Sequence, residues 1–245
     1  MDHLPNAVTI IHTNDLHNHL KEPAVQRLRA LKDEFEPNVL MLDAGDIIKT
    51  GNIGIPLSEE PAWKLAGLAG YDAITLGNRE FHISEVGLKA KLKGTPCPIL
   101  CANIHDKFGS PLPVQPFARF EVGKTIVIVL GLTVPMVTST MKAQAISRYL
   151  FRNPIEAASE WAIKLRNKCD LLIALTHIGY KNDIKLSEAV PFFDVIIGGH
   201  SHTVIEHPEQ VGTTSIAQTG FYAHSVGLIR ISPTREVTGE LLPLK

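Results

Sequence analysis

Hydrophobic residues fall along this chain in short runs, not in long amphipathic stretches. Segments 7–13, 38–43, 73–76, 99–102, 117–122, 125–132, 171–176, 195–197, 213–218, 226–231 and 237–242 are rich in Val, Ile, Leu and Thr. These residues suit a pleated surface, and the runs end in glycine or polar clusters, so each reads as a strand. Helical stretches read at 23–35, 61–68, 85–92 and 154–167. The last has a legible start: Asn153 suits the N-cap, Pro154 the first turn and Glu156 the capping-box position. Strands alternate with helices early on, and the last third is mostly strand. The pattern predicts an α/β fold of two packed mixed β-sheets flanked by helices. The strand over 125–132 is expected to end by Pro135, because proline has no N–H for a ladder. The stretch 134–152 has no clear period and reads as a flexible lid or a short helix.

Composition narrows the class without choosing a chemistry. The 245 residues are 44% hydrophobic and 20% charged, with a net charge of −1. That length fits a single domain over 1–245 with a substantial core. No internal repeat or low-complexity segment interrupts it. A chain this close to neutral lacks the basic footprint of a nucleic-acid binder, so no nucleic-acid partner is expected and anionic ligands must be held by local groups. Cys97, Cys101 and Cys169 are few and lack metal-site spacing, which argues against a disulfide framework. The first apolar run, 7–11, is too short for a signal peptide, and no stretch has the length of a membrane span. A cytoplasmic protein without a membrane partner is the expectation.

The chemistry is concentrated at strand ends. Asp15-Leu16-His17, Gly45-Asp46, Gly77-Asn78-Arg79-Glu80 and Gly198-Gly199-His200-Ser201-His202 each follow a predicted strand, and His177 follows the strand over 171–176. Carboxylates and imidazoles ligate first-row metals, and asparagine can lend its carbonyl oxygen. Residues two apart in an extended segment, such as Asp15 and His17 or His200 and His202, can face one way. Adjacent glycines let the backbone turn sharply. Asp15, His17, Asp46, Asn78, His177, His200 and His202 make seven candidate ligands. One tetrahedral zinc cannot use seven, whereas two ions of higher coordination can. A single Asp-x-His or Gly-Asp is an ordinary turn. The ordered series, each member after a strand, is not explained by independent turns.

This series resembles the calcineurin-like metallophosphoesterase superfamily. The stretches His12-Thr13-Asn14-Asp15-Leu16-His17 and Leu42-Asp43-Ala44-Gly45-Asp46, and the block from Asp170 through His177 to His202, resemble its 5′-nucleotidase and UDP-sugar hydrolase branch. The similarity runs from Val8 to about Leu242. It implies a metallophosphoesterase-type sandwich with two divalent metal ions between the sheets. Asp15, His17 and His202 would hold one ion, Asn78, His177 and His200 the other, and Asp46 would bridge them. The ions would generate the nucleophile and clamp the phosphoryl oxygens. Mn²⁺, Zn²⁺ or Fe is expected, since the ligands are oxygen and nitrogen without thiolate. His12 and Asn14 are expected to order the first ligand loop, and Asp43 to support it or cap a turn. His19, His105, His207 and His224 read as surface or core histidines.

Two departures qualify the resemblance. The usual His-Glu after Gly-Asn, often followed by Phe-Asp, is here Arg79-Glu80-Phe81-His82. A guanidinium keeps its proton but binds phosphate oxygens bidentately. If 78–82 were the first turn of a helix, Arg79 and His82 would share a face, Arg79 holding the phosphoryl group and His82 protonating the leaving group. The C-terminal nucleotide-binding domain common in this branch is not expected within the chain. The expected function is a dinuclear metal-dependent phosphoester hydrolase, a phosphomonoesterase acting on a nucleotide or other small phosphorylated substrate. A phosphodiesterase for cyclic nucleotides or other small diesters is the alternative. A weakly active metal-binding sensor or scaffold is the alternative of another class.

Overall fold

The computed structural model describes residues 3–244. In chain order the elements are β1 (Val8–Thr13), α1 (Glu22–Phe35), β2 (Val39–Asp43), α2 (Pro61–Ala69), β3 (Ala73–Thr75), α3 (Glu85–Leu92), β4 (Ile99–Leu100) and β5 (Ile104–Asp106). There follow β6 (Phe117–Val122), β7 (Thr125–Thr133), β8 (Tyr149–Phe151), α4 (Pro154–Leu165), β9 (Leu171–His177), α5 (Tyr180–Ala189) and β10 (Val195–Ile197). The chain closes with β11 (Glu209–Val211), β12 (Thr214–Ala217), β13 (Ser225–Ile231) and β14 (Val237–Pro243). One six-stranded sheet has the order β14-β13-β1-β2-β3-β4, the other β11-β12-β10-β9-β7-β6, and β5 pairs with β8. Both large sheets are mixed, as the sequence predicts.

Alternation along the strands builds the layers. Val8, Ile10, Leu40 and Leu42 face between the sheets and meet Val127, Val129, Leu171, Ile173, Val195 and Ile197. Their neighbours Ile11 and Met41 face outward onto Leu28 of α1, Trp63 of α2 and Leu88 of α3. On the far side, Ile128, Leu130 and Leu172 pack under Ala158 of α4 and Leu186 of α5. Strands buried on both faces explain the continuous apolar runs. β1, β2, β3 and β4 are mutually parallel, as are β7, β9, β10 and β12. Their carboxyl ends therefore collect at one edge of the sandwich, where open α/β sheets present their sites.

Three predictions from sequence need correction here. The stretch 134–152 is neither a free lid nor only a helix: it makes a 3₁₀ turn at Lys142–Ala145, then β8, whose Tyr149 and Phe151 are buried. Residues 78–80 form a turn, and helix α3 does not begin until Glu85, so 78–82 is not a helical turn. His12 does not order the ligand loop. Sharing its side of β1 with Val8 and Ile10, it is buried between the sheets opposite Gly227, and its Nδ1 has no partner.

Gly227 makes room for that ring, because a Cβ there would lie 2.0 Å from His12 Nε2. Gly227→Ala should destabilise the protein by roughly 2 kcal/mol, and adding His12→Ala should recover part of that loss. Strict additivity of the two in chemical denaturation would refute the steric account. Burial also pushes His12 down from 6.5 to about 3. The folded state keeps the imidazole neutral while the unfolded chain takes up a proton, so this contribution is complete above pH 6.5 and declines on acidification from 6.5 towards 3. In chelator-treated protein, melting temperature should fall less steeply between about pH 7 and 5 for His12→Leu than for wild type. Equal slopes would count against it.

Candidate metal centre

Each candidate ligand sits just beyond, or at the end of, a parallel strand. The loops after β1 and β2 continue the strands' pairing: Asp15 N–H donates to Gly45 C=O (3.0 Å) and His17 N–H to Asp46 C=O (2.8 Å). Asp15, His17, Asp46, His200 and His202 all have positive φ, between 44° and 75°. Left-handed backbone is costly for such side chains and clusters at functional sites. Gly77 permits a close approach that any side chain would block, since its Cβ would fall 2.3 Å from Asp46 N.

The side chains converge in two groups. In the first, His17 Nε2 lies 3.3 Å from His202 Nε2, 3.6 Å from Asp15 Oδ1 and 3.9 Å from Asp46 Oδ2. His202 Nε2 is 3.3 Å from Asp15 Oδ1. In the second, Asn78 Oδ1 is 3.1 Å from both His177 Nε2 and His200 Nδ1, and His177 Nε2 is 3.5 Å from Asp46 Oδ1. The two oxygens of Asp46 thus face different groups. His177 Nδ1 donates to Ala44 C=O at 2.7 Å, which leaves the Nε2 lone pair turned to the site. Asn78 gives its NH₂ to Asn52 Oδ1 (3.0 Å), leaving its carbonyl oxygen inward. Asp15 Oδ1 is buried without a hydrogen-bond donor. Burial pushes the Asp15 carboxyl up, but His17, His177, Asn14 and His202 outweigh it, and its pKa lies below the ordinary carboxylate value. Burial, then the neighbouring His177, pushes His200 down, favouring the neutral ligand form. Converging lone pairs with an undonated buried carboxylate oxygen suit cations.

The surrounding residues divide between expected and unforeseen roles. Asn14 does order the first loop: its NH₂ donates to Asp15 Oδ2 and Gly220 C=O, and its Oδ1 accepts from Thr219. Asp43 caps a turn by accepting from Gly45 N–H and Thr13 Oγ1. Sequence reasoning gave Glu80 no role. It is fully buried, and its carboxylate accepts from the N–H groups of Asp46, Ile47, Ile48 and Gly77 at 2.9–3.2 Å. Its place in the Gly-Asn-x-Glu run was the available signal. Asp183 and Gln218 were also missed. Gln218 Oε1 accepts from Ser201 Oγ and Thr203 N–H, steadying the His200–His202 loop. Asp183 accepts from Thr176 Oγ1, and burial pushes its pKa up to about 8. His19 stacks on Tyr222 at 4.2 Å between centroids, and Tyr222 also meets His17 edge-on.

Arg79 and His82 do not form the pair that a helical turn would give. Arg79 N–H donates to Asp46 Oδ1 (2.8 Å), and its guanidinium donates to Lys49 C=O. His82 is buried, and its Nδ1 is engaged by Ser84 N–H and Oγ at the start of α3.

The calcineurin-like phosphoesterase family profile matches residues 8–204. The 5′-nucleotidase of Vibrio cholerae is 33% identical over 79% of this chain and 40% of its own length. The trifunctional nucleotide phosphoesterase YfkN of Bacillus subtilis is 28% identical over 92% of this chain and 18% of its own. The chain thus spans well under half the length of these curated relatives. Among solved structures, a 5′-nucleotidase precursor from Thermus thermophilus superposes with a TM-score of 0.76 at 24% identity, covering 97% of this chain and 54% of that one. A YfkN structure from Bacillus subtilis gives 0.76 at 20%, covering 98% and 91%. The structural likeness fixes the fold, and the profile match over most of the chain, with the ligand series inside it, places this protein in the calcineurin-like phosphoesterase family.

Proposed function

We propose that this protein is a phosphoester hydrolase that works with two divalent cations and acts on a phosphomonoester, with a nucleotide as the leading substrate class. The observation that carries the reading is Asp46, whose two carboxylate oxygens face separate groups of ligands, one around Asp15, His17 and His202 and one around Asn78, His177 and His200. Cations held there would supply electrophilic stabilisation and a nucleophile at neutral pH. The nucleotide assignment is supported by the relatives named for nucleotide phosphoesters. The ligand chemistry favours Mn²⁺, Zn²⁺ or Fe over Mg²⁺.

The chain's own residues divide the remaining work. Asp15 and Asp46 accept from His200 N–H and Arg79 N–H, which fixes their orientation. Arg79 supplies a permanent positive charge beside Asn78 for phosphoryl oxygens. His82 is the proposed donor to the leaving group. With Nδ1 taken up at α3, only Nε2 remains for that task. We propose that residues 1–245 form one domain and that the protein works in a reducing compartment, the latter supported by free thiols at Cys97, Cys101 and Cys169. Among the described residues, no helix is long and apolar enough to cross a membrane.

Metal analysis with Mn²⁺-dependent hydrolysis of p-nitrophenyl phosphate and its bis-ester tests the proposal. About two ions per chain with faster monoester turnover is the expected result. Preferential bis-ester turnover would make the protein a diesterase, and two ions without turnover of either ester a metal-binding sensor or scaffold. His177→Ala should lower kcat by at least about a hundredfold and weaken metal uptake. Unchanged kcat would remove His177 from the site. His82→Ala should slow alkyl phosphates by about tenfold or more while sparing activated aryl esters. Equal turnover of the alkyl ester by variant and wild type would end the proton-donor role.

A further inference from the structure

Lys91 is a cation placed where the fold alone calls for an apolar side chain. It lies on α3, fully buried, with the indole N–H of Trp63 donating to its backbone C=O. A methionine would fill such a position without the cost of burying a charge. Its ammonium, with three N–H groups, lies within hydrogen-bond distance of four backbone carbonyls: Gly51 (2.8 Å), Asn52 (3.1 Å), Arg79 (2.6 Å) and Phe81 (2.9 Å). Burial pushes its pKa down to about 8, so it remains charged at neutral pH.

The acceptors belong to two segments, 51–52 and 79–81, which frame Asn78. Asn52 is exposed and continues the chain of contacts, since its Oδ1 accepts from Asn78 Nδ2. That hydrogen bond decides which end of the Asn78 amide faces inward. The inward oxygen is the atom 3.1 Å from His177 Nε2 and His200 Nδ1.

We propose that Lys91 is a positioning residue, whose buried ammonium fixes the Gly51–Asn52 loop against the Asn78–Phe81 turn and so aims Asn78 Oδ1 at the His177–His200 pair before a cation arrives. The inference rests on the reading of that pair as a cation site. A salt-linked core lysine would be tied to a carboxylate. This one is tied to peptide carbonyls of the two segments that set one ligand. Loss of a partner that orients a metal ligand typically costs about 10–100-fold in metal affinity.

The test is calorimetric titration of metal-free protein with Mn²⁺, alongside kcat, KM and melting temperature, for wild type, Lys91→Met and Asn52→Ala. Asn52 is a surface residue, so its variant reads the same contact chain even if Lys91→Met fails to fold. Both variants should weaken one of two Mn²⁺ binding events by about tenfold or more and leave the other unchanged, with kcat falling more than KM rises. Wild-type affinity at both events in Asn52→Ala would overturn the inference. So would a Lys91→Met protein that melts lower but keeps both affinities and kcat, which marks packing alone. Two Mn²⁺ events without turnover of any phosphoester would defeat only the proposed activity, and the affinities would still decide Lys91. A wild type that binds no Mn²⁺ would overturn both.

Discussion

The carboxylate of Glu80 accepts backbone N–H groups from Asp46, Ile47, Ile48 and Gly77, and the arrangement of the ligand loops depends on it. Where β2 and β3 end, the chain turns away from the sheet and its peptide groups lose their ladder partners inside the protein. Buried N–H groups without acceptors are costly. A single carboxylate serves four of them, and in doing so clamps the Asp46 loop to the Gly77 loop. Burial and the nearby Asp46 push the Glu80 carboxyl up, while His177 and the backbone donors pull against them. On the other side of the same turn, Lys91 gathers carbonyls from Arg79 and Phe81. The short segment 77–81 is therefore tied to the Asp46 loop by its own buried Glu80, which also accepts from Gly77 N–H, and held by the buried Lys91 through the C=O groups of Arg79 and Phe81.

Backbone strain is concentrated at the candidate ligands. Positive φ at five of them, Asp15, His17, Asp46, His200 and His202, costs on the order of 1–3 kcal/mol each. The strain is confined to the carboxyl edge of the sheets, where regular pairing supports it from below. Asp15 accepts from Asn14 and His200 N–H through Oδ2, and this leaves Oδ1 undonated. Site and scaffold are thus separate in their energetics. The inter-sheet layer of Val, Ile and Leu supplies stability, and the edge holds lone pairs together that would repel without a cation between them.

What the sequence revealed follows from how local each signal is. Strands buried on both faces give apolar runs legible within a few residues, and α3 runs over the predicted 85–92 because Ser84 caps it, accepting from Gly87 N–H. The short strands β5 and β8 have three residues each and pair only with one another across more than forty residues, and the three-residue β11 carries no apolar run. Helix α5 was missed because Tyr180-Lys181-Asn182-Asp183 after Gly179 reads as a loop. The candidate ligands were legible because each lies beside a strand end in a distinctive Asp, His or Gly cluster. Glu80 and Lys91 were not, because their partners are peptide groups that carry no residue-type signal and lie as far as 34 and 40 residues away. A lysine on a short helix ordinarily reads as a solvated face.

Position 79 shows why the ligand frame can survive a change of chemistry. Its backbone does the structural work, with N–H donated to Asp46 Oδ1 and C=O given to Lys91. Neither contact depends on the side chain, which reaches instead to Lys49 C=O and is only half-buried. Arginine there leaves the seven candidate ligands undisturbed while adding a fixed positive charge near Asn78. A fixed charge favours binding of phosphoryl oxygens and charge stabilisation, and it removes a proton source that imidazole would provide. The burden of leaving-group protonation then falls on another group or on the leaving group's own acidity. His82 can take it only through Nε2, with its ring held against Gly87 and its Nδ1 spent on Ser84. Under the proposed function, the range of esters cleaved would then turn on the orientation of one buried imidazole or on the acidity of the leaving group, and not on the geometry of the seven candidate ligands.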